Sequence, residues 1–318
     1  MAVNDVIHLP GDDPAWQESM ALHVLDGRVG AGTVVAIGTF PNWSAGHGLS
    51  WVAAAMPGGA RFQRSTNDVP LKDDDRRGPR LGAAGVHWTQ LTDGRGRLEV
   101  VDAPAVIDLE FTDLHPQTSW FPADGSPGAL AGLAHGHVEA SCVVSGTITV
   151  GNESVMLDQA LGHRDQSWGP RRLESARNHR WLAGTCGPGL SFSLDNLITA
   201  DGRVSTFGYV ARDGLVERLV DAEIVVGLAP DCITPRGCAV EVLTDAGSQL
   251  VIESTEAVAS FVNRRMFLES DGTFTATDTL FRVRSGDLEG IADLNLTVNP
   301  SAGVSPPVAF TGGTLVDS

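Results

Sequence analysis

Six Asp-Gly pairs, at residues 26–27, 93–94, 124–125, 201–202, 213–214 and 271–272, punctuate the chain. Asp-Gly is a strong signal for a two-residue hairpin, because a type I′ turn needs φ > 0 at both central residues. The flanking segments agree: Arg97–Asp102 reads RLEVVD and Val106–Asp113 reads VIDLEFTD. Residues 137–150, HVEASCVVSGTITV, read as two strands joined around Ser145-Gly146. After residue 180, runs such as LSFSLDNLIT, LVERLVDAEIVVG and QLVIESTEAV alternate or are β-branched. Turn signals separate them roughly every 8–12 residues, as in sandwiches and barrels. No long amphipathic helix and no strand–GxGxxG–helix unit is visible, which argues against a nucleotide-binding α/β fold. The expectation is an all-β protein.

At 318 residues the chain is long enough for two domains. The Gly-, Ala- and Pro-rich stretch 122–136, PADGSPGALAGLAHG, is the best boundary. It divides an N-terminal domain, 1–130, from a C-terminal one, 131–318, that carries GHRDQSWGPR. Met56–Gly85 has the weakest β signal and reads as a long exposed excursion.

The charge balance narrows the partners. Lys+Arg is 22 against Asp+Glu 39, a net charge of −17, so a polyanion is repelled and neither nucleic acid nor an anionic membrane is an expected partner. Lys72 is the only lysine and lies in a charged, loop-like run, which disfavours Schiff-base chemistry. No stretch approaches the roughly 20 apolar residues of a membrane span. The first residues lack the basic and apolar regions of a secretion signal. Four cysteines without a CxxC read as reduced thiols. A cytoplasmic protein is expected, and a homo-oligomer is left open.

Three clusters carry groups suited to chemistry. In Gly162–Arg172, GHRDQSWGPRR, an extended backbone points His163 and Asp165 to one face and Arg164 to the other. An imidazole and a carboxylate on one face suit general acid–base work, and Trp168 could offer a π face to a developing cation. The alternative is an Asp–Arg ion pair with a Trp packed over it. In His135-Gly136-His137-Val138-Glu139 the three functional side chains share one strand face. That arrangement could hold a metal, but no third-ligand spacing accompanies it, so none is expected. The alternatives are hydrogen-bonded polar residues inside a pocket, or an ordinary solvent-facing edge. In Phe40–Trp51, Trp43, His47 and Trp51 could line an apolar cavity, or the indoles could be core. Trp181, beside His179 and Arg180, repeats the pairing of imidazole with indole. All nine histidines lie at or before His179 and all seven tryptophans at or before Trp181, so chemistry that needs either lies upstream of the tail. Nucleophile elbows and Walker loops are absent.

The segment from His137-Val138-Glu139 through VVSGTITVGNESVMLDQALGHRDQSWGPR resembles the signature of a branch of the hydroxyneurosporene synthase (carotenoid 1,2-hydratase) and AttH-like superfamily. The matching residues are His137, Glu139, Ser145-Gly146-Thr147, Arg164-Asp165, Ser167-Trp168-Gly169 and Arg171; Gln166 stands where that branch usually has His. The resemblance implies two lipocalin-like β-barrel domains around an apolar cavity. It also implies chemistry that adds water to isoprenoid-like substrates or removes it. Fold transfers better than reaction.

Together these readings give a cofactor-independent hydro-lyase for a lipophilic, terpenoid alkenol or alkene. Its candidate catalytic residues are Asp165, His163, His137 and Glu139. Asp165 would be the acid, and His163 or His137 would handle the water. Trp168, Arg164, Trp43, His47, Trp51 and Trp181 are candidate substrate contacts. An Asp that donates a proton near neutrality needs its pKa raised by roughly 3 units from about 3.9, so Arg164 and Arg171 must point away or pair elsewhere. A non-catalytic carrier or sensor of a hydrophobic ligand is the alternative, and an isomerase or cyclase on an isoprenoid is a third. A pure binder needs no converging ionisable groups.

Overall fold

The structure, a computed structural model, forms two compact units, Met1–Arg172 and Leu173–Ser318. It describes residues 7–43, 46–92, 94–120, 134–172, 176–199, 201–231, 233–263, 275–298 and 314–316. Among the described residues there is no α-helix, only a 3-10 turn at Gly187–Gly189. The all-β, lipocalin-like expectation holds.

The strands of the first unit are β1 (Trp16–Asp26), β2 (Ala31–Phe40), β3 (His47–Ala55), β4 (Arg61–Pro70), β5 (Arg76–Arg77), β6 (Arg80–Ala83), β7 (Val86–Thr92), β8 (Arg95–Asp102), β9 (Ala105–Asp113), β10 (Thr118–Ser119), β11 (Gly136–Val150) and β12 (Glu153–Pro170). They form one curled half-barrel sheet in the order β4-β3-β2-β1-β12-β11-β9-β8-β7-β6-β5, with β10 pairing the start of β11. Two antiparallel meanders are thus joined through the β1–β12 pair. Period-2 alternation sends Met20, Leu22, Val24, Val35, Ile37, Val52, Cys142 and Val144 to one face, where they form the apolar core with Trp88, Leu98 and Phe111. Each fully buried Leu, Ile or Val contributes about 1.5–3 kcal/mol there.

The second unit contains β13 (Ala176–Thr185), β14 (Ser191–Thr199), β15 (Val204–Arg212), β16 (Leu215–Leu228), β17 (Pro235–Thr244), β18 (Gln249–Asn263), β19 (Thr275–Ser285), β20 (Leu288–Val298) and β21 (Thr314–Val316). Eight of them close a barrel in the order β15-β14-β13-β20-β19-β18-β17-β16 and back to β15, while β21 adds in parallel to β16. The closure is short: only Tyr209–Arg212 pair with Leu215–Arg218. Further along the seam, side chains replace the backbone ladder. The Arg180 Nη1 donates to the Ile224 carbonyl at 2.8 Å, and Asn196 Nδ2 donates to that of Ala222 at 3.0 Å. At Asp213-Gly214, between β15 and β16, φ is 51° and 78°, the two positive values that the hairpin signal requires.

Three expectations change. The boundary expected within 122–136 gives way to a division at 172, because β12 pairs with β1 and β11 with β9. GHRDQSWGPR therefore belongs to the first unit; residues 121–133 lie outside the described ones. Ser145-Gly146 is not a hairpin but a bulge within the continuous β11. Gly146 has φ 141°, and a Cβ there would lie 2.1 Å from the Asp108 carbonyl oxygen, so close backbone approach rather than a turn requires glycine. Met56–Gly85 is not loop throughout but contains the edge strand β4 and the short β5 and β6.

Candidate functional site

The site begins with a conflict between pattern and core. On β1, β12 and β11 the face turned away from the apolar core carries polar side chains that are nonetheless buried. Register aligns them in three rows. Glu139 opposes Asp165, which opposes Ala21; Ser141 opposes His163, which opposes His23; His137 opposes Ser167, which opposes Ser19. Directly opposed side chains of neighbouring strands have Cβ atoms about 4.5–5.5 Å apart, so the rows place ionisable groups in mutual reach.

The side chains form a connected network. Glu139, fully buried, is bonded by two imidazoles: His137 Nε2 lies 2.8 Å from Oε1 and His163 Nε2 lies 3.1 Å from Oε2. The other nitrogen of His163 is 3.0 Å from Ser141 Oγ, so both of its ring nitrogens are engaged. His137 stacks on Trp120, with ring centroids 3.7 Å apart. Burial lowers the His137 pKa, against the pull of Glu139, and so favours the neutral ring. At the margin, the Ser141 N–H donates to His115 Nε2 at 3.1 Å. Burial brings His115 down to about 4, which keeps that nitrogen an acceptor at neutral pH.

Asp165 is different. It is only half-buried, and its carboxylate has no hydrogen-bond partner among the described residues. Burial pushes its pKa above the ordinary carboxylate range, against the weaker downward pull of His23, His163, Arg171 and Arg164. The two guanidiniums are disposed differently, and only Arg164 is turned away from Asp165. Arg164 lies on the opposite face in a two-point ion pair with Asp113, at 2.7 and 2.5 Å, and its guanidinium carbon sits 5.2 Å from the Phe111 ring centroid. Arg171 remains on the Asp165 side of the strand, where its Nη2 donates to Ser167 Oγ at 2.8 Å. Ser167 in turn bonds Ser19 at 2.8 Å.

The structure therefore brings Asp165, His163, His137 and Glu139 together and places several expected substrate contacts elsewhere. β12 continues to Pro170, so Trp168 shares the Arg164 face. There its indole lies over Gly136, where a Cβ would come within 2.1 Å of it, and stacks on His8 at 3.7 Å. Gln166 also faces that way, donating to the buried Glu18 at 2.7 Å; its departure from the resembled motif does not touch Asp165. His135 precedes β11 and meets Trp16 edge-on. Trp51 shares the Asp165 face three strands away, through Ala21 and Ala36. Trp43 lies in the turn after β2, and His47, at the start of β3, has its Nδ1 2.9 Å from Asp68 Oδ1. Trp181 belongs to the second unit, where its indole donates to Ser193 Oγ at 2.9 Å. Sequence reasoning missed Trp120, His115, Ser141 and His23. The first two reach the site only because β10 pairs with β11, opposing Thr118 to Glu139, a contact with no local signal.

The donor atoms that could bind a cation here, those of His137, His163 and Glu139, are bonded to one another. No helix among the described residues is long and apolar enough to cross a membrane.

Residues 1–300 match the model of the family described as Domain of unknown function DUF7064, and the chain belongs to that family. No curated protein matches. Among solved structures, the chain is similar to an AttH-type protein from Nitrosomonas europaea, at 13% identity and TM-score 0.63, covering 89% of this chain and 91% of that one. It is also similar to CghA, at 14% identity and TM-score 0.63, covering 94% and 95%. Kievitone hydratase from Nectria haematococca matches at 11% identity and TM-score 0.60, covering 94% of each chain. At these identities the likeness is one of fold.

Proposed function

We propose that this member of the DUF7064 family is a cofactor-independent hydro-lyase that adds water to a lipophilic terpenoid alkene or removes it from the corresponding tertiary alcohol. The observation that carries the reading is the convergence of Asp165 with the His137–Glu139–His163 network on one sheet face, in opposed register. A carrier needs no such convergence. That kievitone hydratase shares the fold favours the same class, as does the motif resemblance to the carotenoid 1,2-hydratase branch.

In dehydration Asp165 donates its proton to the leaving hydroxyl, the C–O bond breaks, and water departs from a tertiary carbocation. A neighbouring carbon then loses a proton to form the alkene. Hydration is the reverse: the His137 imidazolium returns its proton to the alkene carbon, water adds to the cation, and the Asp165 carboxylate takes the proton that the added water sheds. Within the network, His137 suits proton acceptance better than His163. His163 has both nitrogens bonded, whereas His137 is held neutral with Glu139 behind it to stabilise the imidazolium that forms. Trp120, stacked on His137, supports the imidazolium that forms there rather than the substrate cation expected to meet Trp168.

The test is turnover of tertiary terpene alcohols by wild type and Asp165→Asn. Asn keeps the shape but holds no acidic proton, so the rate should fall by about 10²–10⁴-fold in a folded protein. A folded, fully active Asp165→Asn sinks the assignment.

A further inference from the structure

The bond that Arg171 makes is not the one its surroundings favour. Asp165 and Ser167 share a face of β12 two residues apart, about 7 Å along the strand. The half-buried Arg171 guanidinium is close enough to Asp165 that each charge is felt at the other. Given a carboxylate and a hydroxyl, a guanidinium should take the carboxylate, because charge-assisted hydrogen bonds are roughly twice as strong between two ions' groups as between neutral ones. Arg171 takes the hydroxyl: its Nη2 donates to Ser167 Oγ at 2.8 Å, while the Asp165 carboxylate has no hydrogen-bond partner among the described residues. That hydroxyl is itself held. Arginine only donates, so Ser167 Oγ accepts, and its own hydrogen is left to donate to Ser19 Oγ, 2.8 Å away at the opposed position of β1. Ser167 is buried, and the Arg171 backbone N–H donates to the Ala15 carbonyl at 3.0 Å, which fixes the stem as well. His137 opposes Ser167 on β11, and the anchored charge disfavours its protonation.

We propose that Ser167 is a positioning residue: backed by Ser19, it holds the Arg171 guanidinium beside His137 and keeps it from pairing with Asp165. The inference rests on the reading of Asp165 as the acid and His137 as the base, and adds how one cation is placed with respect to both. Anchored, the charge helps to keep His137 neutral. In a direct ion pair it would hold Asp165 ionised and remove the acidic proton. The other groups facing Asp165 are Glu139 across β11, His23 on β1 and His163 on β12, with His137 one row further; Arg164 is paired with Asp113 on the opposite face. His23 and His163 pull in the same direction as Arg171, but only a guanidinium keeps its charge at every working pH.

The test follows the Asp165 carboxyl by carbon-13 NMR of aspartate-labelled protein, its signal assigned by its loss in Asp165→Asn, alongside the pH dependence of alcohol turnover. Ser167→Ala releases the guanidinium. The Asp165 midpoint should fall by about one pH unit or more, and the alkaline limit of turnover should move down with it. Arg171→Met should move both the other way, and Ser167→Thr, which keeps a hydroxyl, should titrate like wild type. The decisive variant is double: added to Arg171→Met, Ser167→Ala should leave the midpoint where Arg171→Met alone puts it, since no guanidinium remains to be released. Ser167→Val replaces Ser167→Ala if the latter does not fold. A folded Ser167→Ala whose Asp165 titrates like wild type overturns the proposal, as does an undiminished downward shift in the double variant. The two readings fail separately. Midpoints that move as stated, with no alcohol turned over, remove the hydro-lyase and keep the anchor. Turnover that needs Asp165, with a midpoint untouched by Ser167→Ala, does the reverse.

Discussion

Each unit buries polar side chains, but they bond to different things. In the first, Glu139 takes His137 and His163, and Asp165 stands beside them: titratable groups touch titratable groups. In the second, besides the His179–Asp195 contact at 3.1 Å, Arg180 and Asn196 reach the carbonyls of Ile224 and Ala222, where β15 and β16 have parted: there side chains touch backbone. Burial and polarity are common to both sets; the bonding partners differ. Under the proposed reading a proton moves through the first set. The second substitutes for missing ladder hydrogen bonds, at a site where an unsatisfied buried carbonyl would cost about 1–3 kcal/mol. The distribution of imidazole and indole fits this division. With the units divided at 172, Trp181 and His179 are the second unit's only Trp and His.

The hardest blow to the comparison within the first unit itself would come from Arg164, the motif residue held in a buried two-point ion pair. Arg164→Met leaves Asp113 without its ion-pair partner, and urea unfolding should show a loss of about 3–5 kcal/mol. A variant that keeps its stability but loses alcohol binding would return Arg164 to the substrate. Next comes the seam. Asn196→Leu should lower stability by about 1–3 kcal/mol, read by thermal melting, with turnover of the folded protein unchanged. A drop in turnover without a drop in stability would make the seam functional.

A smaller effect has the opposite sign. Burial raises the folded pKa of Asp165, so between the unfolded value, about 3.9, and that raised value the folded state holds more protons than the unfolded one. Stability contributed by this group therefore falls as pH rises through that window. Asp165→Asn should melt higher than wild type at neutral pH, and the gain should vanish at pH values below both pKa values. A lower melting temperature at neutral pH would mean that the carboxylate is ionised and paired. The smallest effect is expected from Gln166→His, which restores the residue of the resembled motif on the face opposite Asp165. It should change stability by about 1 kcal/mol or less and leave turnover intact.

How much of this was legible depends on whether the signal was local. Asp213-Gly214 is a hairpin because its two residues suffice to make the turn. Arg164 opposes Asp165 in facing because strands alternate, and that too is readable from three letters. Trp168 fails for the same reason that Arg164 succeeds. It was expected to offer its π face to a developing cation beside Asp165, but β12 keeps its period to Pro170 and carries the indole to the other face. Ser145-Gly146 looked like a turn because glycine permits one; only the closeness of the β9 backbone shows a bulge instead. Trp120, and the pairing of β12 with β1 that moves the boundary to 172, rest on contacts between distant segments, which no window of residues contains.

That β1–β12 pair has a consequence for how the protein is made. Trp16 pairs with Pro170 and Leu25 with Leu161, so the central strand of the first sheet waits for the whole unit to be synthesised. At about 5–20 residues per second the N-terminal meander has emerged for several seconds before its partner does, with one edge of β1 unsatisfied. Such long-range closure slows folding, because chain entropy is lost before the contact repays it. The row of Glu139, Asp165 and Ala21 straddles that closing pair. The candidate catalytic face does not exist in any partly made chain, and it appears in the same step that completes the sheet.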